Sequence, residues 1–585
     1  VALRSWHAVS GSALPLRDHV LTDPEPFLAA TVLALLLVVA ACSAFLGWTV
    51  WRLTGRPWLA ALAQAAPFVC FEVLRSLLQV MCEPLLLAAA TALSGLALLA
   101  LLPDSHEKSR SLEAAMGVVL GLGVATKVIF LPAAILPMAA VRSRGGRFRI
   151  LLWAVLSLAA CLLVIASRLP ATVLWMWRLL GHSGYHGTGA ATVIDPSRYA
   201  AGIVRLLGAE LPLHAAFLAC IAVCLWPRAP RAFPMSARRL ALGLLGVWAV
   251  TLAAAAKQPQ AHYLVTAAGL LPALVALALW RLQVSERGQA VVAARAALVL
   301  LLAAGIARTV SGGSWFIGVR TKAKIGARTV AAAADEPGVL QGHRVSTVPA
   351  ALAAGNEWTG LAWSADLRRL YPGFLAFDCE GLHAFGEDAT PREARAHVRD
   401  DGTALLRDSA WRRLDECPWA AALPRKTLVS AGRDSLHEAR LLPPPDGAQT
   451  GPWIGGMLIV AGIDGGAGPR WATGRRTTLA FLHEGGPLTL EVSAGHALPG
   501  EQALSILANG VRVDKRSVPR LPAGERFMVP IEARPGWNEI EIVYDAVAPS
   551  PPRVETPLLG FRYRARSPVT PAVLFSMLRV SRDLP

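Results

Sequence analysis

The chain has 585 residues, enough for two to four domains at ~100–200 residues each. With 54% hydrophobic residues and a mean hydropathy of +0.45, it is too apolar for a purely soluble protein. The formal charge of +17 comes without a basic patch interleaved with aromatics, so nucleic acid is not an expected partner.

In chain order, Phe27 to Trp51 reads as a first span, closed by the Trp/Arg anchor and turn WRLTGRP. Trp58 to about Leu78 returns, with Glu72 and Arg75 near its end. MCEPLLLAAATALSGLALLALL follows, with Glu83 at its head. Next comes LEAAMGVVLGLGVATKVIFLPAAILPMAAVR, with Lys127 in the middle. An ionisable residue costs about 2.5–3.5 kcal/mol at a bilayer centre, so both positions need an explanation.

Charge parity supplies one for Lys127. Short loops rich in Lys and Arg stay on the inner side. Arg52 and Arg56, Lys108 and Arg110, and Arg142 to Arg149 all face inward only if Leu112 to Val141 is a hairpin of two short spans. The tip of that hairpin carries Lys127 to the outer face beside Glu83. Neither residue has a partner at helical spacing, so both are expected to line one outer-facing cavity, where water and an anionic phosphate would compensate Lys127 and Glu83 would face the sugar or acceptor.

Further runs follow at Arg149–Ser167, Leu211–Trp226, Leu240–Ala256, Leu264–Leu282 and Ala290–Ala307, giving about ten crossings. The outer segments hold HSGYHGTGAATVIDPSRY, with His182, Tyr185 and His186, and KQPQAHY, with Lys257, His262 and Tyr263. HxxxH off a helix is a poor metal site, and none is expected. Six cysteines lie in or beside spans as small apolar fillers. Cys379 and Cys417 are the exported pair, and an isolated pair in an oxidising compartment is expected to form a disulfide.

After Gly312 the composition becomes that of a soluble protein. Arg320–Glu336 reads as a helix. Short strands then alternate with helices near Ala365–Leu370 and Pro391–Arg399, as in a small α/β domain. PPPDGAQTGP is a linker, and from Trp453 the text is all strand and turn, at spacing fit for a β-sandwich. The expected fold is thus a polytopic α-helical domain over 1–312, an exported α/β domain over 318–445 and a β-sandwich over 452–585.

MCEPLLLAA, GVVLGLGVATKVIFLP and KQPQAHYLVTAAGLLPALVALAL, in that order, resemble the membrane-embedded GT-C glycosyltransferases of the bacterial protein-mannosyltransferase and aminoarabinose-transferase type. The likeness covers roughly residues 15–310. It implies transfer of a sugar from a polyprenyl-phosphate carrier to a glycan, lipid or protein acceptor on the outer face of a bacterial inner membrane. It implies no tightly bound cofactor, and leaves any divalent metal open. Lys127, Lys257, His262 and Tyr263 would take the donor phosphate, Glu83 would serve as an active-site acid, and the His182–His186 loop would receive the acceptor.

In that family the catalytic acid lies in the first outer loop, after a first span. Here both are expected to be missing, or the loop to be reduced to the residues before Phe27, where Asp18, with Asp23 near it, is the catalytic candidate. The C-terminal module resembles jelly-roll modules of envelope glycosyl-transfer proteins. The competing expectation is a non-catalytic envelope polysaccharide assembly or export protein. A secondary transporter is disfavoured because the chain carries no internal symmetry.

Overall fold

Helix α1 (Pro24–Thr54) is one long apolar run. It stops where Gly55 takes a left-handed φ of 68° and its N–H returns to the Trp51 carbonyl at 2.7 Å, a glycine C-cap. The computed structural model describes residues 24–102, 109–164, 194–226, 233–285 and 288–334, a few isolated positions between them, and beyond 334 the strands named below with their tight turns.

Arg56 and Pro57 start α2 (Pro57–Ala65), with proline in the first turn, where its missing N–H costs nothing. A 3-10 turn (Ala66–Val69) follows, Cys70 goes extended, and α3 (Phe71–Leu77) leaves at 87°. The run read as one returning span is therefore broken. Glu210 caps the break from afar: its two carboxylate oxygens accept the N–H groups of Phe71 and Glu72 at 3.1 and 3.2 Å.

Helix α4 is Glu83–Leu99 and α5 is Ser109–Thr126. At Lys127 the backbone is extended, and the chain folds back as a 3-10 stretch (Val128–Ala134) into α6 (Ile135–Ala140). The Phe130 ring sits on Gly123 of α5, where any Cβ would collide with it. Helix α7 (Arg144–Val164) packs along α5. Gly117 and Gly121, one turn apart, admit the backbone of Ile150 and Ala154, the close approach that small residues allow in a membrane.

The pair α8 (Pro196–Ala209) and α9 (Leu211–Leu225) is bent by 86° at Glu210. Helix α10 (Met235–Ala256), a 3-10 turn (Ala261–Leu264) and α11 (Val265–Val284) follow. Helix α11 is apolar on all sides and buried almost throughout, at the centre of this unit. It packs on α4, where Gly269 meets Ala90 and the Ser94 hydroxyl donates to the Gly269 carbonyl at 3.2 Å.

Among the described residues, five helices are long and apolar enough to cross a membrane, or seven if each bent pair is one span. This is a multi-pass arrangement; three of the ten expected crossings fall outside this set. The difference lies in α4 and the two arms around Lys127. The arm Val128–Ala140 rises only about 23 Å at ~2.0 Å per 3-10 residue and ~1.5 Å per α residue. Helix α12 runs unbroken over Gln289–Ala334, so the separate helix expected from Arg320 is its continuation.

The second unit begins near Val319 and is β-rich. Its strands are β1 (Leu375–Asp378), β2 (Gly381–Ala384), β3 (Thr403–Asp408), β4 (Arg425–Ala431), β5 (Asp434–Arg440), β6 (Ile459–Ala461), β7 (Arg470–Trp471) and β8 (Arg476–His483). They continue as β9 (Gly486–His496), β10 (Gln502–Ala508), β11 (Val511–Val518), β12 (Glu525–Ala533), β13 (Gly536–Tyr544), β14 (Val554–Glu555), β15 (Arg562–Tyr563) and β16 (Val573–Ser581).

One sheet runs β1-β2-β6-β8-β13-β10-β11 and another β12-β9-β16-β7. Alternate residues of β10, β12 and β13 point inward, and Phe481, Leu490, Val492, Ile506, Val529 and Ile542 share one core. β2 pairs in parallel with β6, so strands on both sides of the expected linker belong to one sheet. β3, β5 and β4 form a separate three-stranded antiparallel sheet. The helices expected near 365–370 and 391–399 lie outside the described residues, as do Cys379 and Cys417.

Candidate functional site

Three separate stretches of chain bring polar groups to one place in the helical unit. Glu83 opens α4 and is held there by its context: Pro84 fixes the first turn, and an acid is favoured at a helix N-terminus. Its carboxylate is 2% exposed and accepts the Lys127 ammonium at 2.6 Å, across 44 residues of sequence. Lys127 reaches it because the chain breaks at that residue, freeing the side chain from a helix surface.

The third stretch is the 3-10 turn before α11. His262 places Nε2 3.8 Å from the same Glu83 oxygen. The Tyr263 ring lies beneath the Lys127 ammonium, 4.6 Å from centroid to nitrogen, and edge-on to His262 at 4.4 Å. The Cys82 thiol donates to the other Glu83 oxygen at 3.5 Å. Lys127 and His262 remain about a quarter and a fifth exposed, so the cluster is closed behind Glu83 and open in front.

Helix α3 packs against both α4 and the 261–264 turn. It adds Arg75, whose charge acts on His262, and Glu72, which feels the charge of Glu83. These two are themselves paired at 3.0 Å. Sequence reading passed over Glu72, Arg75 and Glu210 as site residues. The signal available was an i,i+3 acid–base pair at the end of an apolar run, and an acid just before Leu-Pro.

The structure therefore brings Glu83, Lys127, His262 and Tyr263 together. Glu83 and Lys127, expected on one outer-facing cavity, form a direct ion pair. Lys257 follows the last turn of α10, six residues before Tyr263, where burial lowers its ammonium below the ordinary lysine range. Asp18, His182, Tyr185 and His186 lie outside the described residues. No group of three metal-binding side chains occurs among the described residues.

The chemistry of such a cluster is limited by its charges. A carboxylate locked to an ammonium is a stable anion, poorly placed to take a proton. The exposed side presents cationic and aromatic groups, which suit an anion attached to an apolar molecule.

The apolar helices and this half-buried ionic cluster make the chain a multi-pass membrane protein with a polar site at the head of its central helices. No family model matches the sequence, and no curated protein does. Among solved structures, the chain is similar to the crystal structure of ArnT from Cupriavidus metallidurans bound to undecaprenyl phosphate. That match has 12% identity and a TM-score of 0.37, and covers 70% of this chain and 84% of the other. It is also similar to the cryo-EM structure of the arabinosyltransferase EmbB from Mycobacterium smegmatis, at 12% identity and a TM-score of 0.29. There the match covers 93% of this chain and 57% of that one.

Proposed function

We propose that this protein transfers a sugar from a polyprenyl-phosphate carrier to a hydroxyl acceptor at the outer face of a bacterial inner membrane. The observation that carries the reading is the joining of Glu83, Lys127, His262 and Tyr263, the residues picked from motifs resembling the GT-C transferases. In this reading the acceptor oxygen attacks the anomeric carbon, the bond to the carrier phosphate breaks, and the electron pair leaves with the phosphate. Lys127 and His262 face that leaving group, with Arg75 adding positive charge nearby and Lys257 assigned to the same phosphate. Glu83 orients Lys127 and stays ionised.

Glu72, Glu83 and Glu210 each already hold a cation or helix amides. The base that takes the acceptor proton is therefore assigned elsewhere, and Asp18 keeps that assignment. The β-rich unit is assigned to the outer side with the acceptor loop around His182, Tyr185 and His186.

The test is release of polyprenyl phosphate from a polyprenyl-phosphate sugar by the full chain in proteoliposomes. Lys127→Gln should lower turnover by about 100-fold, the usual loss when one stabilising donor is removed. If the folded Lys127→Gln protein turns over like the parent, the site assignment is wrong. Donor binding without turnover in the parent would favour the non-catalytic envelope assembly reading, which the engaged carboxylates also fit.

A further inference from the structure

The turn between α6 and α7 gathers positive charge that no carboxylate among the described residues neutralises. Arg239, in the second turn of α10, donates Nε to the Ala139 carbonyl at 2.7 Å. Arg147, in the first turn of α7, donates Nε to the Val141 carbonyl at 3.0 Å. Both acceptors lie at the C-terminal end of α6, where carbonyls lack helical partners and carry partial negative charge. Gly243, one turn after Arg239, permits the approach: a Cβ there would stand 2.6 Å from that of Ala139.

Arg142 follows directly, and its charge and that of Arg147 both act on Arg239. The nearby carboxylate is Glu113, which faces Gly146, and it is already held by Arg149 at 2.6 Å. Two carbonyls thus take the two Nε protons and fix two guanidiniums, while no carboxylate among the described residues pairs with their outer edges or with Arg142. A topology anchor needs positive charge; it does not need guanidiniums held in place. Fixed, planar forks are what bind a phosphate group well.

The same turn leads straight into α7, which turns an apolar face outward along its length. Phe148, Leu151, Val155 and Leu156 are among its exposed residues. An ionic head beside the arginines would have its chains on this face. Basic pockets between membrane helices bind anionic lipid heads by this geometry.

We infer that the α6–α7 turn is a binding site for the phosphate head of an anionic phospholipid, held by Arg142, Arg147 and Arg239, with its acyl chains along α7. The probe is spin-labelled phosphatidylglycerol against spin-labelled phosphatidylcholine, with the full chain in phosphatidylcholine vesicles. The parent protein should retain phosphatidylglycerol preferentially, and the preference should fall as salt is raised. Arg142→Gln, which touches neither helix carbonyl, should cut that preference about fivefold. Arg147→Lys keeps the charge but loses the fork, and should cut it less.

Equal retention of the two lipids by the parent would overturn the proposal. So would an unchanged preference in Arg142→Gln. Displacement of the labelled lipid by millimolar inorganic pyrophosphate as readily as by unlabelled phosphatidylglycerol would mark a soluble-anion site instead, and equally overturn the lipid assignment.

Discussion

Two polar clusters, one in each unit, are buried in different ways. In the β-rich unit, Asn538 accepts from the Arg534 N–H and from Asn509, and donates to the carbonyls of Arg534 and Gly536. Asn509 answers by accepting from the Glu539 N–H at 2.9 Å. This network serves the two-residue turn Asn509–Gly510, where φ is 52° and 83°, as a tight hairpin of this type requires. It is neutral, local and closed. In the helical unit the buried group is a full charge, Glu83, and its partners come from distant sequence and remain partly exposed. A closed neutral network holds a fold, whereas a charge with an open side is also available to a ligand.

The largest effect that would break this contrast is an asymmetry at the ion pair. Lys127→Gln leaves a carboxylate almost fully buried without its cation, and should destabilise the helical unit by about 3 kcal/mol. Glu83→Gln leaves an ammonium that can turn towards water, so it should cost clearly less. Thermal unfolding in detergent would compare them. Equal losses would mean that Glu83 has another source of compensation, and the open-site reading would lose its physical basis.

Much of this was readable from residues. Glu83 and Lys127 stood out because charge is expensive in apolar text, and the strands from Arg476 onward followed the alternation and turn residues. Charge parity puts Glu83 and Lys127 on one face, but their direct ion pair is not legible, because a contact between residues 44 apart leaves no local periodicity. Nor is the break at Cys70: hydropathy is high on both sides of it, and hydropathy carries no direction. The acid that caps the break, Glu210, sits more than a hundred residues away. Continuity of α12 across Gly312 was missed because a change in composition does not by itself end a helix.

A middle-sized effect is expected at the closed network. Asn538→Ala removes four hydrogen bonds and strands the Arg534 N–H and the Asn509 amide, so about 2 kcal/mol should be lost. Because the loss is local, the mutation should leave binding of a polyprenyl phosphate unchanged. Chemical denaturation followed by tryptophan fluorescence, with lipid binding measured in parallel, would check both. Weakened lipid binding would show that the two networks are not independent.

The smallest effect sharpens the comparison by holding chemistry nearly constant and changing burial. Arg476 and Glu541 form an ion pair at 2.9 Å across β8 and β13, close in length to the pair at Glu83. Here the arginine is more than half exposed and the glutamate about a fifth, against 2% for Glu83, so water reaches both ends of the pair. Neutralising one partner leaves a charge that water can still reach. A double-mutant cycle with Arg476→Gln and Glu541→Gln should therefore give a coupling of roughly 0.5 kcal/mol. Raising salt towards 1 M, where the screening length falls to about 3 Å, should remove most of it. The same cycle at Lys127 and Glu83 should keep its coupling in high salt, because screening ions do not reach a carboxylate enclosed by protein. A salt-insensitive coupling at Arg476–Glu541, or a salt-sensitive one at Lys127–Glu83, would show that distance rather than burial governs these pairs.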